Sequence, residues 1–510
     1  MRKLILLLFL GPCLLAQDVR LPRSTPEKEG VHSEGILQFL DAAESVSSKG
    51  IQFHSMMLLR HGKVVAEGWW SPYRSDLKHT MYSVSKSYTA TAIGFAVAEG
   101  RMTVNDPVIS FFPDLLPDTI SPHLAAMKVK DLLSMSGGYE KEPNQIVTGD
   151  DWVKNFLAAP VPLEPGTHFL YNSMGTYVLS AIVTKVTGQT ALEYLQPRLF
   201  DPLGIHGLDW ETSPAGINTG GWGLRQRTED MAKFGQLFLQ RGKWGGKQIL
   251  PMGWVEEASS RKIWQNPDAT QAQKDSSDWL QGYCYQMWRG RHDSYRGDGA
   301  MGQFIIILPE KDAVIITTAE VNDMQKEFNL IWKYLYNAIS DQNVLPESKA
   351  CVALADRLAQ LGYEPLSGIV NPAMEQKLSG RTLKFAENGI GYESMRLVFA
   401  KDHSFVQFQQ EEQNYRIRIG NGTWALDNTI RKGPYLVARA ANNMEGLPPF
   451  QTASSYYWED EHTLKLLLRY IDSPHTEFIT LSFAGDDAEV TFSHSFLGNN
   501  PPEKLMVHLE

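Results

Sequence analysis

The chain is poor in cysteine and carries neither of the common zinc-binding spacings. It has three cysteines in 510 residues and no Cys-x-x-Cys pair, which excludes a structural zinc ribbon. No His-Glu-x-x-His segment occurs among its 13 histidines, so a zinc hydrolase of that type is disfavoured. We therefore expect no metal site and no cofactor.

The chain also lacks an excess of positive charge. Lysine and arginine together number 48 against 58 acidic residues, a net charge of −10. Binding a phosphate backbone needs a basic surface, so we expect no nucleic-acid partner. The hydrophobic fraction of 43% and charged fraction of 21% are ordinary for folded proteins, which excludes a disordered chain. A chain of this length is expected to form more than one domain.

No apolar stretch is long enough to span a bilayer, and we expect no transmembrane segment. Near the N-terminus, two basic residues precede an apolar run that ends at Ala16. This pattern is typical of a signal peptide, predicted here as residues 1–16, and implies an exported protein, periplasmic or extracellular. Only Cys284 and Cys351 would remain after cleavage. The sequence leaves open whether they form a disulfide, and it does not indicate the oligomeric state.

Two predicted β-hairpins stand near the two ends of residues 25–345. The first covers residues 52–69 and turns at His61-Gly62. The second covers residues 302–318, and its apolar strands suit burial on both faces. This arrangement predicts one antiparallel sheet that contains both ends of the domain, with the intervening helices on its faces or in a subdomain.

The character of the sequence changes after this region. Residues 346–364 have helical spacing and are predicted to form a linker helix. From residue 365 to 510, apolar and polar residues alternate with period two, between Gly and Asn turns. We expect a separate all-β accessory domain, either a small barrel or a sandwich, and an α+β protein overall.

The main candidate for chemistry is the pair Ser83 and Lys86. Residues three apart share one helix face, and the segment after Lys86 is small and apolar almost all round up to Gly100. A helix apolar all round is buried, and burial lowers the pKa of an ammonium group. A neutral lysine can take the proton of an adjacent serine hydroxyl, so the pattern predicts an activated nucleophile.

Spacing alone is weak support, because Ser-x-x-Lys occurs three times. The other two pairs, Ser75/Lys78 and Ser259/Lys262, lie in polar surroundings where a lysine stays charged. The competing interpretation of Lys86 is a structural lysine that extends its amine to solvent from a buried helix.

The segments that follow Lys86 resemble the serine β-lactamase and penicillin-binding-protein superfamily, in its class C-like esterase and amidase branch. The resemblance spans about residues 25–340 and is carried by ordered motifs: Glu99-Gly100-Arg101-Met102, Asn105-Asp106-Pro107-Val108, residues 129–138, residues 164–175, Asp201-Pro202-Leu203-Gly204 and residues 228–235. It implies an antiparallel sheet flanked by helices, plus a helical subdomain.

The resemblance also implies acyl transfer through a covalent intermediate. Ser83 is the implied nucleophile, and Lys86 and Tyr171 are implied to shuttle protons. We expect the nearby ammonium to lower the pKa of the Tyr171 phenol. The alternative for Tyr171 is a buried anchor at a helix start, with Asn172 or Ser173 as the cap.

The family's third motif falls on Gly297-Asp298-Gly299. The backbone amides of Ser83 and Ala300 are then implied to form the oxyanion hole, and Gly299 suits close approach of a substrate. The alternative is a glycine-rich turn before a strand.

Two departures from the family pattern bear on the substrate. Ser173 replaces the asparagine of the tyrosine motif, and Gly297 replaces the lysine of the third motif. Both departures weaken the case for β-lactam hydrolysis or D-Ala-D-Ala recognition as the function. The candidates to bind a substrate anion in place of the missing lysine are Arg225, Arg227 and Arg296. Asp298 is an alternative binding residue for a substrate amine, as in amide hydrolases similar to 6-aminohexanoate-dimer hydrolase.

The leading hypothesis is an exported serine hydrolase acting on a small ester, amide or peptide. A cell-wall D-amino-acid peptidase or transpeptidase is the second. A non-catalytic binding protein that uses the same cleft is the third, and the intact set of Ser83, Lys86 and Tyr171 argues against it.

Overall fold

The computed structural model describes residues 20–510 except 144–146, 401–403, 438–439, 441–443, 445–446, 448 and 499. The predicted signal peptide, residues 1–16, lies outside this range. The fold is α+β, as the sequence predicts, and contains two large sheets with separate cores. No helix in the described part of the chain is long and apolar enough to cross a membrane.

The first large sheet has six antiparallel strands in the order β2-β1-β11-β10-β9-β8. Its strands are β1 Ile51–Arg60, β2 Lys63–Trp69, β8 Trp288–Arg289, β9 Tyr295–Gly299, β10 Gln303–Leu308 and β11 Ala313–Val321. Both predicted hairpins are confirmed, and β1 pairs with β11, so early and late strands share one sheet. His61 and Gly62 both have positive φ, as a tight hairpin turn requires.

Strands β1, β2, β10 and β11 each contribute to two cores, because successive side chains point to opposite faces. On the inner face, Met57, Ile305 and Ile316 join the core of the helical part. On the outer face, Met56, Phe304 and Ile315 pack with helices from both ends of the region. The sheet is therefore covered on both faces, as its apolar strands predict.

Fourteen α-helices lie in the described part of the chain: α1 Ser33–Ser47, α2 Ser85–Ala98, α3 Pro122–Ala126, α4 Val129–Leu133, α5 Trp152–Ala158, α6 Ser173–Thr187, α7 Ala191–Leu195, α8 Asp201–Leu203, α9 Thr228–Leu239, α10 Met252–Ser259, α11 Gln271–Ser276, α12 Met324–Leu330, α13 Ala350–Ala359 and α14 Pro372–Leu378. Other helical segments include Tyr82–Val84 and Ile331–Tyr336. Two small sheets are formed by β3 His79–Thr80, β4 Asp209–Trp210 and β5 Leu224–Gln226, and by β6 Lys243–Trp244 and β7 Lys247–Gln248.

Helix α13 occupies the middle of the predicted linker, residues 346–364. It packs against α1, and Arg357 pairs with Glu44 of that helix. Leu354 and Leu361 belong to the outer core of the first sheet. The linker is thus anchored on the first large sheet rather than suspended between two bodies.

The second large sheet contains the remaining strands: β12 Thr382–Phe385, β13 Tyr392–Val398, β14 Phe405–Gln410, β15 Gln413–Arg418, β16 Gly420–Asn421, β17 Ala425–Thr429, β18 Phe450–Trp458, β19 Thr463–Tyr470, β20 His475–Ala484, β21 Asp487–His494 and β22 Glu503–Leu509. The strand order is β15-β14-β13-β12-β22-β21-β20-β19-β18-β16, and β17 pairs with β18. The sheet curls until its ends meet, where the Arg418 amide donates to Asp427 at 2.8 Å. Of the two predicted alternatives, it is a nearly closed barrel.

The sequence leaves open whether Cys284 and Cys351 form a disulfide, and in the structure both are free thiols. Cys284 is buried and Cys351 is partly exposed. Burial raises the pKa of the Cys284 thiol to about 12, so this group is an uncharged core residue at neutral pH.

Candidate functional site

The site is built around the start of α2. The helical turn Tyr82–Val84 leads directly into α2, so Ser83 lies one turn before Lys86. The Lys86 amine is 3.1 Å from the Ser83 hydroxyl oxygen, to which it donates. The sequence predicts this pairing, and every residue of α2 from Ser85 to Ala96 is buried. The candidate nucleophile, Ser83, and the candidate base, Lys86, are therefore in contact at the start of a buried helix.

The Lys86 amine is held by two further oxygens. It donates to the hydroxyl of Ser173 at 3.1 Å and to the carbonyl of Gly221 at 2.7 Å. The residue is 1% exposed. Burial lowers the pKa of Lys86 to about 7, although the negative charges of Glu142 and Asp298 act in the opposite direction. An amine with this pKa is substantially neutral at physiological pH, as a general base must be.

The other two Ser-x-x-Lys segments have different surroundings. Lys78 pairs with Asp209, and Lys262 pairs with Glu257 at 2.6 Å. Each amine is partly exposed and paired with a carboxylate. The arrangement that suits proton abstraction is found at Lys86.

Tyr171 lies beside the same amine. The centre of its ring is 4.9 Å from the Lys86 nitrogen. A nearby ammonium is expected to lower the phenol pKa of Tyr171, and the structure gives the opposite direction. Burial raises the pKa of Tyr171 above its ordinary value, and a hydrogen bond with Ser83 offsets only part of this effect. The expectation is wrong because desolvation outweighs the attraction of an amine that is itself only partly charged.

Two aromatic residues that sequence reasoning missed complete the wall around Tyr171. Trp288 stacks on its ring at a centroid distance of 5.4 Å, and Tyr283 meets it edge-on at 6.2 Å. Both come from the segment that leads into β9, more than 100 residues later. No local pattern links these positions, so only the tertiary fold brings them together.

Ser173 begins α6 and faces the catalytic candidates. Asn172 caps this helix, because its side chain accepts a hydrogen bond from the Gly175 amide at 3.0 Å. The segment therefore serves as a helix start and as part of the site, since Asn172 caps α6 while Ser173 contacts Lys86. Glu142, which the sequence analysis did not identify, accepts a hydrogen bond from the Ser173 amide at 2.5 Å.

Strand β9 packs against the nucleophile turn through its two glycines. A Cβ atom at Gly299 would lie 2.3 Å from the carbonyl oxygen of Met81, and one at Gly297 would lie 3.3 Å from the Ser87 hydroxyl oxygen. Only glycine allows so close an approach at position 299. The contact places Gly299 against Met81, which immediately precedes the turn Tyr82–Val84, and Ala300 follows Gly299 in the chain.

Asp298 projects from the opposite face of β9, because side chains alternate along a strand. Its carboxylate pairs with Arg296 at 2.8 Å and is 7% exposed. Burial raises the pKa of Asp298, against the attraction of Arg296. This carboxylate already has a cationic partner, which does not favour its use as a binding group for a substrate amine.

The three arginines considered as anion anchors are likewise engaged. Arg225 pairs with Asp209 at 2.7 Å and with Asp472 at 3.1 Å. Arg227 pairs with Asp230 at 3.1 Å. With Arg296 held by Asp298, the geometry does not favour any of the three as a substitute for the missing lysine. Within the described ranges, no three side chains of the metal-binding types converge on one point.

Comparison with known proteins identifies related sequences and related folds. The family model described as Beta-lactamase matches residues 41–336. A 6-aminohexanoate-dimer hydrolase of Paenarthrobacter ureafaciens is 26% identical over 282 residues, covering 51% of this chain and 71% of the relative. A β-lactamase of Escherichia coli is 26% identical over 214 residues, covering 37% of this chain and 54% of its own length. A penicillin-binding protein homologue from Caulobacter crescentus has a TM-score of 0.50 at 15% identity, covering 63% of this chain and all of the other.

Proposed function

The chain belongs to the β-lactamase family of serine hydrolases, and from this premise we propose that it cleaves an ester or amide bond through an acyl-enzyme on Ser83. The observation that carries the proposal is the 3.1 Å contact between the Ser83 hydroxyl and the buried Lys86 amine. With a pKa of about 7, that amine is able to accept the serine proton at neutral pH.

In the proposed first step, the Ser83 oxygen attacks the substrate carbonyl while its proton passes to Lys86. The negative charge that develops on the carbonyl oxygen is stabilised by the amides of Ser83 and Ala300. Lys86 then gives this proton, through the neutral Tyr171 phenol, to the alcohol or amine that leaves as the ester or amide bond breaks. In the second half, water attacks the acyl-enzyme carbonyl and gives a proton to Lys86. That proton passes to the Ser83 oxygen as its bond to the acyl group breaks, which releases the carboxylic acid.

The wall of the site favours uncharged substrates over β-lactams. The family's lysine is replaced by Gly297, and the nearby arginines are paired with aspartates. Among the described residues, these three arginines therefore do not offer an unpaired cation to a substrate carboxylate, whereas Trp288 and Tyr283 offer an apolar surface beside Tyr171. Small esters and amides without an adjacent carboxylate fit this arrangement best. Export, proposed from the sequence of residues 1–16, would place the reaction outside the cytoplasm.

Labelling with a fluorophosphonate probe tests the proposal. The wild-type protein should be labelled covalently, and Ser83→Ala should abolish labelling. Ser75→Ala is the matched control, because Ser75 has the same spacing to a lysine but is exposed. Labelling that survives in Ser83→Ala would refute the assignment. A panel of matched esters and amides, with and without a carboxylate next to the scissile bond, then separates the substrate classes.

A further inference from the structure

The residue directly before the nucleophile has an unusual backbone conformation. Tyr82 has a φ angle of 44°, in the left-handed region that bulky side chains rarely adopt. Such a conformation persists only where the surroundings hold it. Because Tyr82 and Ser83 share a peptide bond, the conformation of Tyr82 determines where the Ser83 amide and side chain point.

The groups that hold the Tyr82 side chain come from the second large sheet and its loops. Tyr435 stacks on the Tyr82 ring at a centroid distance of 5.7 Å. The Leu436 amide donates a hydrogen bond to the Tyr82 hydroxyl at 3.3 Å. The same hydroxyl contacts Nε2 of His475, at the start of β20. Residues more than 350 positions away in the chain thus enclose the residue before Ser83.

The bond joins the Tyr82 hydroxyl to Nε2 of His475, and its direction depends on which ring nitrogen carries the proton. Among the described residues Nδ1 of His475 has no hydrogen-bond partner, so His475 acts on Tyr82 through Nε2. The ring is neutral in either tautomer. Its burial, with 1% of the residue exposed, agrees with this state, since burial lowers the pKa of His475.

We propose that His475 is a positioning residue for Ser83, acting through the Tyr82 hydroxyl to hold the backbone that aims the nucleophile and its amide. The inference rests on the proposed role of Ser83. It makes the β-barrel part of the catalytic unit, because the barrel supplies the hydrogen-bond partner without which the left-handed turn relaxes. His475 itself does not touch the reacting atoms.

Removal of either end of this bond tests the inference. His475→Phe removes the imidazole and Tyr82→Phe removes the hydroxyl. Each should lower the rate of fluorophosphonate labelling at saturating probe at least tenfold, while the half-saturating probe concentration stays within about twofold. The double variant should be no slower than the slower single variant, because both substitutions break the same bond.

Thr476→Val is the matched control. Thr476 follows His475 and donates to Glu320 at 2.7 Å, so this variant loses a contact to the first large sheet that does not involve Tyr82. It should label within twofold of the wild type. His475→Gln keeps a side chain that can donate or accept a hydrogen bond, and it should label within threefold.

The inference is overturned if His475→Phe labels as fast as the wild type, or if Thr476→Val lowers the labelling rate as much as His475→Phe does. It is also overturned if the losses of the two single variants, His475→Phe and Tyr82→Phe, multiply in the double variant. Should His475→Phe not fold, the comparison of Tyr82→Phe with His475→Gln decides. A wild type that does not label refutes the role of Ser83 instead, before any variant is compared.

Discussion

Two segments only eight residues apart have the same Ser-x-x-Lys spacing and different environments. Ser75 and Lys78 lie at the surface, where Lys78 pairs with Asp209. Ser83 and Lys86 lie at the start of a buried helix, where the amine contacts hydroxyl and carbonyl oxygens. The comparison shows that the spacing only allows the contact, whereas burial sets the pKa and hence the chemistry.

The largest expected effect comes from truncating the two lysines. Lys86→Ala removes the proposed base and should lower ester turnover by about a thousandfold or more, since removal of a catalytic base leaves only binding and oxyanion stabilisation. Lys78→Ala should stay within about threefold, because exposed ion pairs contribute about 0–1 kcal/mol. Steady-state turnover of both variants checks this. Equal losses would show that the two segments do not differ in the way the structure indicates.

A second expected effect separates the two glycines that pack on the buried turn. Gly299→Ala should lower fluorophosphonate labelling about a hundredfold, because its Cβ would lie 2.3 Å from the Met81 carbonyl oxygen and displacements of about 1 Å at an active site cost that much. Gly297→Ala should have a smaller effect, since its nearest contact is 3.3 Å from a side chain. Labelling rates of both variants, measured alongside their thermal unfolding, test the order. A reversed order would contradict the described packing.

A third effect concerns stability rather than activity. Burial lowers the pKa of Lys86 from 10.5 to about 7, so between these values the unfolded chain binds a proton that the folded chain does not. The destabilisation of the folded chain by the buried Lys86 ammonium is therefore full below pH 7, and it disappears as the pH approaches 10. Lys86→Met should raise the free energy of unfolding at pH 6 by about 1–3 kcal/mol, with a smaller gain at pH 9. Urea unfolding at both pH values measures it, and a gain that grows with pH would contradict the account.

The smallest expected effect is electrostatic. The charge of Glu142 raises the pKa of Lys86, so Glu142→Gln should move the midpoint of the labelling-rate profile to lower pH, by less than about one unit. Glu140→Gln, a nearby exposed carboxylate, is the control and should leave the midpoint in place. A shift to higher pH in Glu142→Gln would be the wrong sign.

What could be predicted from the sequence was local or periodic. The hairpins that contain His61-Gly62 and residues 309–312 follow from turn residues between apolar strands, and the contact of Ser83 with Lys86 follows from helical spacing. The alternation after residue 365 indicates a sheet, although its closure near Arg418 and Asp427 depends on curvature that no alternation encodes.

The features that could not be predicted depend on contacts between distant segments or on opposing influences on one pKa. Trp288, Glu142 and His475 reach the site only through the tertiary fold, so their own segments carry no signal. The direction of the Tyr171 pKa was wrong because burial and a nearby amine act in opposite senses, and their balance requires the actual surroundings. The ion pair of Asp298 with Arg296 was missed because which face of β9 meets the nucleophile turn is not a sequence property.

The protonation of Lys86 is the central claim, and a titration of isotope-labelled lysine side chains by NMR tests it directly. With the Lys86 signal assigned by its loss in Lys86→Met, the account predicts a midpoint near pH 7, about three units below the ordinary value for lysine. A Lys86 amine that remains fully charged up to pH 10 would contradict it.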